Sequence, residues 1–155
     1  MNELAQNMRE LQVVILPMHP DCPQASVFLH HNGAHGPEQL LERLNNSDRF
    51  LPMKDPSGTV RLMAKAGIAA LVCAREPDEL AALRELLPTP APVRVRMRDG
   101  SELEGELLLL LPGERHRVLD FLNAPERFFL LAHPTGASFV NKEWIDHIAP
   151  VPENT

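Results

Sequence analysis

Hydrophobic and polar positions alternate most regularly in two segments near the middle of the chain. The alternation sets Val93, Val95 and Met97 against Arg94, Arg96 and Arg98 in one segment, and Leu103, Gly105 and Leu107 against Glu102, Glu104 and Glu106 in the next. A period of two is typical of strands with one buried face, and the intervening Asp99-Gly100 is typical of a tight hairpin turn. The pattern predicts an antiparallel hairpin whose arginines and glutamates share the outer face.

Short apolar runs elsewhere predict further strands, and the helical signals are few. The predicted strands cover residues 13–18, 26–30, 49–53, 59–63, 68–72, 127–132 and 137–141, and Trp144, Ile145 and Ile148 close the chain's second half. Helices are expected at 36–44, where Pro37 fits the first turn, at 76–87, which has a leucine stripe, and at 1–11, where Leu4, Met8 and Leu11 share a face. The fold class is therefore mainly β with short helices.

One segment occurs twice at an offset of 78 residues. Residues 40–58 align with 118–136 without a gap, and seven of the nineteen positions are identical. The identical pairs are Leu41/Leu119, Leu44/Leu122, Asn45/Asn123, Arg49/Arg127, Phe50/Phe128, Pro56/Pro134 and Gly58/Gly136. Solenoid repeats usually have periods of about 20–50 residues, so this longer offset predicts a duplicated small domain.

The predicted organisation is a first unit at 1–75 with an N-terminal extension, a connecting helix and proline-rich linker at 76–91, and a second unit at 92–151. The segment from Val93 to Leu107, V-x-V-x-M-x-D-G-x-x-L-x-G-x-L, resembles the first two strands of an Sm-type domain. The stretch from Pro112 through Asn123 and Phe128 to Ile145 resembles a small bacterial domain of unknown function with the same layout.

The resemblance to Sm-like and SH3-like domains covers residues 92–151, and the first half resembles the same unit more weakly because it lacks a clear Asp-Gly hairpin. It implies two tandem small antiparallel β-barrels. Sm-like proteins often form rings and bind RNA. The asparagine and glycine/arginine positions that bind RNA in that family are not matched here, so no RNA site is carried over.

The polar residues of the repeated segment are the first candidates for a site. Glu42 and Asn45 in the first copy match Asp120 and Asn123 in the second, and all four could contact a ligand. The alternative is structural, because Asx side chains bond nearby backbone N–H groups and fix bends. The structural interpretation is preferred, and Phe50 and Phe128 are expected to anchor the barrel cores.

A second candidate site is a cluster of potential zinc ligands near the N-terminus. Its members, within seventeen residues, are His19, Cys22, His30, His31 and His35. Zinc binds cysteine and histidine, but this spacing matches no standard zinc motif, so scattered histidines are preferred and no metal is predicted. Cys73 follows an apolar strand and is expected to be a small buried residue.

Charge and composition narrow the function classes. The net charge of −6 disfavours a general nucleic-acid binder, whose phosphate contacts need a basic face. No catalytic or cofactor motif is found, so neither an enzyme nor a cofactor is predicted. Two cysteines and the lack of a long apolar run indicate a cytoplasmic protein away from membranes.

The leading hypothesis is a non-enzymatic protein–protein interaction or scaffold protein built from a duplicated small barrel. Its partner is another protein, and a homo-oligomer is compatible with it. An Sm-like RNA-binding protein is the second hypothesis, and a small-molecule sensor is the third.

Overall fold

The computed structural model describes residues 8–17, 22–30, 36–73, 91–107, 118–134 and 136–151. The first half contains β1 (Met8–Leu16), β2 (Gln24–His30), helix α1 (Gly36–Asn45), β3 (Phe50–Lys54), β4 (Val60–Ala64), a 3-10 turn (Lys65–Gly67) and β5 (Ala70–Cys73). The second half contains β6 (Ala91–Met97), β7 (Glu102–Leu107), helix α2 (Val118–Leu122), β8 (Phe128–His133), β9 (Gly136–Asn141), a 3-10 turn (Lys142–Trp144) and β10 (Ile145–Pro150).

The described strands form one antiparallel sheet in the order β10-β6-β7-β8-β9-β5-β1-β2-β3-β4. The prediction of a mainly β fold is confirmed. The sheet is open, because β10 and β4 are its two edges and do not pair with each other in the described chain. Two separately closed barrels were predicted from the resemblance. The strands instead join one ten-stranded sheet, and closure of each half remains a proposal.

The two halves of the sheet have the same strand order. In the first half the order is β5-β1-β2-β3-β4, and in the second it is β10-β6-β7-β8-β9. The halves meet where β5 pairs with β9, with Leu71 opposite Phe139. We call this pairing and the side chains around it the junction.

Residues at the same place in the two strand orders are called counterparts. Phe50 faces Ala64 across β3 and β4 as Phe128 faces Asn141 across β8 and β9. The offset between counterparts is 80 residues in β1 and β2, 78 from α1 to β3, and 77 from β4 onwards. The ungapped alignment of the sequence therefore shifts by one residue in this turn, and its Gly58/Gly136 pair does not match structurally.

Two hydrophobic cores share the central strands. Phe128 and Leu130 of β8 pack with the core of the first half, whereas Phe129 and Leu131 pack with the core of the second half. Successive side chains of a strand point to opposite faces. Strands β8 and β9 are therefore covered on both faces, and the junction is built from them.

A lysine closes the C-terminal end of each helix. Lys65 is buried, and its Nζ donates to the backbone oxygen of Arg43 and to Asn46 Oδ1. Its counterpart, Lys142, donates to the backbone oxygens of Phe121 and Ala124 at 2.9 and 3.1 Å. The last carbonyls of a helix lack backbone partners and attract cations. Burial lowers the pKa of both lysines below the ordinary value of 10.5.

The sequence pattern predicted most of the described strands and helices to within a few residues. One predicted helix and one predicted core residue were wrong. The helix predicted at 1–11 is wrong over its described part, because Met8 begins a strand that pairs with β2 up to Val14. Phe50 was predicted to be a core anchor, but it is exposed. The helix predicted at 76–87 lies outside the described residues, as does most of the linker.

Candidate protein-interaction surface

The hairpins β3–β4 and β8–β9 are counterparts with opposite surroundings. In β8 and β9 every residue from Phe128 to Ala132 and from Gly136 to Asn141 is buried. In β3 only Leu51 and Met53 are buried, and no residue of β4 is. Because the sheet continues from β9 into β5 and stops at β4, the second hairpin is the one that a neighbouring strand of the other half covers within the described ranges.

Three large apolar side chains are exposed on the outer face of the first hairpin. Phe50 is 53% exposed, Val60 is 55% exposed and Leu62 is 69% exposed. Their counterparts Phe128, Ala137 and Phe139 are at most 1% exposed and belong to the core of the first half. We call Phe50, Val60 and Leu62 the open-edge surface. It lies where the equivalent part of the second hairpin is buried at the junction.

Strand alternation explains why these side chains point outward. Leu51 and Met53 fill the first core, so their neighbour Phe50 faces the opposite side of β3. Across the hairpin, Met63 is opposite Leu51 and packs against the same core. Leu62 is therefore turned outward, on the same side as Phe50.

Asn45 fastens α1 to the second half of the chain. Its Nδ2 donates to the backbone oxygen of Phe128 at 3.0 Å, and its Oδ1 accepts from the backbone nitrogen of Phe128 at 2.7 Å. The amide thus satisfies both backbone groups of one residue. The expectation of a structural role for Asn45 is supported, but its partner is 83 residues away rather than in a local bend.

Two further side chains of the second half bond across the junction. Asn141 is buried, and its Nδ2 donates to the backbone oxygen of Ile68 at 3.0 Å. Trp144 Nε1 donates to the backbone oxygen of Ala66 at 2.9 Å. Both acceptors lie in or beside the 3-10 turn that leads into β5, so these bonds hold the turn against the second half.

Helix α2 has an exposed leucine, and an exposed asparagine follows its last residue. Leu119 is 67% exposed, whereas its counterpart Leu41 is half-buried and packs on the first core. Asn123 is exposed and its side chain makes no hydrogen bond within the described part of the chain, unlike its counterpart Asn45. In the bend expected at this position, Asn123 takes part through its backbone nitrogen, which donates to the oxygen of Leu119 at 3.0 Å.

Glu42 and Asp120, the other polar pair of the repeated segment, are both exposed on their helices. The structure places Glu42 on the same helix as Asn45, and Asp120 on helix α2, which ends one residue before Asn123. It brings neither acid into a cluster that could hold a metal ion, because no such cluster exists among the described residues.

The turn of the first hairpin is built around Asp55. Its Oδ1 accepts from the backbone nitrogens of Ser57 and Thr59 and from the Ser57 hydroxyl, and its Oδ2 accepts from Arg61 Nε at 2.9 Å. These bonds, led by that from the Ser57 hydroxyl, lower the pKa of Asp55 from 3.8 to about 2. Gly58, with φ of +91°, completes the turn in a conformation that favours glycine.

Each half has a shallow depression beside the turn of its own hairpin, β3–β4 in the first half and β8–β9 in the second. The first, of about 180 Å³, lies between β1, β2 and Asp55, and the second, of about 460 Å³, lies between β7 and His133. His133 is the counterpart of Asp55, and its imidazole contacts the Ser138 hydroxyl at 2.6 Å. The two depressions occupy equivalent places, but one is lined by the carboxylate of Asp55 and the other by the imidazole of His133. We therefore do not expect them to bind the same class of ligand.

The predicted arginine and glutamate face is present on β6 and β7. Val93, Val95 and Met97 are buried, as expected. Arg94 lies opposite Glu104 and Arg96 lies opposite Glu102, and both pairs form ion contacts, that of Arg94 with Glu104 at 3.3 Å. The positive charges of Arg94 and Arg96 are therefore paired with carboxylates of their own hairpin.

Of the suggested zinc ligands, the structure describes the side chain of Cys22 alone. Cys22 is buried, and its Sγ contacts the backbone oxygen of Gln24 at 3.6 Å. His19, His31, His35 and the side chain of His30 lie outside the described residues. Cys73 is buried as predicted, and burial raises the pKa of its thiol to about 12.

No protein-family model, curated protein or solved structure matches this chain. None of the helices in the described ranges is long and apolar enough to cross a membrane. The sequence identified Phe50, Asn45, Asn123 and Leu119 as members of the repeated segment. It did not single out Val60, Leu62 or Asn141, and it gave Trp144 no role at a junction. Their role depends on the pairing of β5 with β9, for which the sequence has no local signal.

Proposed function

We propose that the chain is a duplicated small unit of Sm-like or SH3-like type that acts as a non-enzymatic interaction or scaffold protein. It docks a protein partner on the open-edge surface and the adjoining edge of β4. The observation that carries the proposal is the contrast between Phe50, Val60 and Leu62, which are exposed, and their counterparts, which are buried at the junction. The common strand order of the two halves supports the duplicated unit.

The open edge has the physical properties of a docking site. A strand at the edge of a sheet has unpaired N–H and C=O groups that can bond an incoming strand. Burying a large apolar side chain contributes about 1.5–3 kcal/mol relative to leaving it in water. Because Phe50 and Leu62 flank this edge on one face, a partner strand with an apolar side would gain from both sources.

The titratable groups with shifted pKa values support a structural rather than a catalytic role. Asp55 and Asp99 accept backbone bonds in hairpin turns, and their pKa values are lowered mainly by hydrogen bonds from Ser57 and Ser101. Lys65 and Lys142 bond the ends of helices. Each of these groups is used by the fold, so they support no acid–base pair.

RNA binding is the alternative implied by the family resemblance, and the ion pairs on β6 and β7 weigh against it. Arginines paired with neighbouring glutamates leave little positive field to attract phosphates. We expect no binding of generic RNA or DNA near physiological salt in a fluorescence-anisotropy titration. Binding at micromolar or lower concentration that weakens steeply with added salt would favour RNA binding instead.

The proposal is tested by replacing Leu62 with a photo-crosslinking amino acid in cells that naturally make this protein. Irradiation should link the chain to a protein at this position. The same amino acid at Gln12, an exposed position of β1, is the matched control and should give no defined product. If the Leu62 derivative also gives none, the open-edge surface is not a docking site and the proposed function is wrong.

A further inference from the structure

Some residues are identical in the two halves of the chain although only one member of each pair makes the contact that uses it. Phe128 and Asn45 contact each other across the junction. Their counterparts Phe50 and Asn123 have the same residue types but lie on opposite outer surfaces of the molecule, and Phe50 is 53% exposed. Leu119 likewise keeps the leucine of Leu41 but is not packed on a core.

The two outer surfaces repeat the two sides of the internal junction. At the junction, β5 and α1 of the first half contact β9 and β8 of the second half. The open edges of the sheet are β10 and β4. Strand β10 is the counterpart of β5, α2 of α1, and β4 of β9. Each side of the junction is therefore present once more, without a partner among the residues that the structure describes.

We propose that the occupant of the open-edge surface is a second copy of this chain, bound head to tail. The edge strand β10 and helix α2 of one copy dock on β4 and the open-edge surface of the next, in the geometry of the internal junction. This inference rests on the proposed docking role of that surface and names its partner. The interface is heterologous, so successive copies form a ring if the rotation closes and a filament if it does not.

The internal junction predicts the strand register of this contact. Leu71 lies opposite Phe139 and Ala70 lies opposite Val140 where β5 pairs with β9. The corresponding pairs between copies set Ile148 of β10 opposite Leu62 of β4, and His147 opposite Met63. Ile148 is half-buried and packs against the second core, as Leu71 packs in the first. Because residues opposite each other share a face of the sheet, this register brings the side chain of Ile148 to the exposed Leu62.

Side chains on the two outer surfaces complement each other as they do at the junction. Leu119 takes the place of Leu41 beside the apolar residues, and Asn123 is placed to bond both backbone groups of Phe50, as Asn45 bonds those of Phe128. The amide of Asn123 would then gain the partners that it lacks among the described residues of a single copy.

The charged residues near the junction have counterparts of the same sign at the outer surfaces. At the junction the charges of Asp48 and Arg127 both act on Lys65. At the outer surface Glu126 takes the place of Asp48 and acts on Lys142. Arg49 of the next copy would take the place of Arg127, so the acid and the base at this contact are both retained.

The contact between copies lacks some bonds of the junction. Ala64 and Gly67 are the counterparts of Asn141 and Trp144, so they cannot donate the side-chain bonds that those residues make to Ile68 and to the turn beside it. Pro150 in β10 has no N–H to give an adjacent strand. The association is therefore weaker than the internal junction, reversible and dependent on concentration.

Sedimentation velocity on the full chain tests the proposal with one variant on each outer surface. Wild-type protein should shift from 17.3 kDa towards multiples of that mass as its concentration rises. Leu62→Glu and Leu119→Glu should each abolish the shift, because a charge replaces an exposed apolar contact. Gln12→Glu adds the same charge at an exposed position of β1 and should associate like the wild type. Circular dichroism checks that all variants stay folded.

Mixing the two variants gives the sharpest result. Leu62→Glu leaves α2 and β10 intact, and Leu119→Glu leaves the open-edge surface intact, so one functional contact remains between them. The mixture should form a complex of two chains and nothing larger. A contact of β4 with β4 would instead leave Leu119→Glu fully associated, and that result would overturn the proposal.

A wild-type chain that stays monomeric at all accessible concentrations would also overturn the head-to-tail inference. If the Leu62 crosslink then captures a different protein, the docking function survives with another partner. If the crosslink captures nothing, both proposals fail, so the two experiments separate the two failures.

Discussion

The hairpins β3–β4 and β8–β9 show that equivalent backbone does not fix the environment of a side chain. Both hairpins pair strand by strand in matching register, and both begin with a phenylalanine. Phe128 is covered by the first half of the chain, whereas Phe50 is exposed because nothing in the described chain follows β4 in the sheet. The position of a hairpin in the sheet, rather than its own sequence, decides which of its faces is buried.

Replacing the two phenylalanines separately gives the largest expected difference between the hairpins. Phe128→Ala should lower the free energy of unfolding by about 3–5 kcal/mol, because it leaves a cavity beside both halves. Phe50→Ala should change it by less than about 0.5 kcal/mol in dilute solution, where Phe50 is exposed. Urea denaturation of both variants checks the pair, and equal losses would show that the environments do not differ.

The lysines at the helix ends provide a second matched pair. Lys65→Met should cost about 1–3 kcal/mol, because Lys65 is buried and the oxygens that it bonds lose their donor. Lys142→Met should cost less than about 1 kcal/mol, since Lys142 is half-buried and water can reach its acceptors. Thermal denaturation of the two variants measures this difference, and a larger loss at Lys142 would contradict it.

The two asparagines test whether, within a single chain, Asn45 stabilises the fold and its counterpart Asn123 does not. Asn45→Ala should cost about 1–2 kcal/mol through the loss of two bonds to the backbone of Phe128. Asn123→Ala should be within about 0.5 kcal/mol of the wild type in dilute solution, because its side chain is exposed. A substantial loss for Asn123→Ala in a monomeric sample would mean that it has a structural role within one chain.

The sequence predicted local structure well because local structure depends on nearby residues. Alternation located β6 and β7 with their arginines and glutamates on one face, and the helical spacing that follows Pro37 located α1. Asp99-Gly100 forms the expected turn, in which Gly100 has φ of +90°. These features need only the period of the pattern and the conformational preferences of glycine and proline.

The sequence did not predict the long-range contacts that define the candidate site. Phe50 and Phe128 are identical residues in matching segments, so no local signal could show that one is exposed. The junction depends on Cys73 and its neighbours in β5 pairing with Ala137 and its neighbours in β9, more than sixty residues later. Residues 8–11 have helical spacing, but pairing with β2 makes them a strand.

The turns of the two hairpins should differ in their response to acid. Asp55 has a pKa of about 2 in the folded protein against an ordinary 3.8. Its contribution to stability is therefore complete above pH 3.8 and is lost as the pH falls towards 2, because the unfolded chain binds the proton more readily. His133 occupies this place in the second hairpin and supplies no carboxylate.

Asp55→Asn should therefore flatten the dependence of unfolding free energy on pH between 3.8 and about 2. Ser57→Ala, which removes the hydroxyl that contributes most to the lowered pKa, should flatten it in part. Denaturation series at several acidic pH values measure the slope. An unchanged slope for Asp55→Asn would show that this carboxylate does not stabilise the folded turn.

Hydrogen–deuterium exchange of β4 and β9 at low and high protein concentration tests the central claim most directly. In dilute solution, amides of β9 should be protected by pairing with β8 and β5. Strand β4, whose one partner among the described strands is β3, should exchange faster. At high concentration the amides of β4 and β10 should become protected together, and those of β9 should not change. Exchange in β4 that is the same at both concentrations, in a sample where the chain associates, would contradict the account.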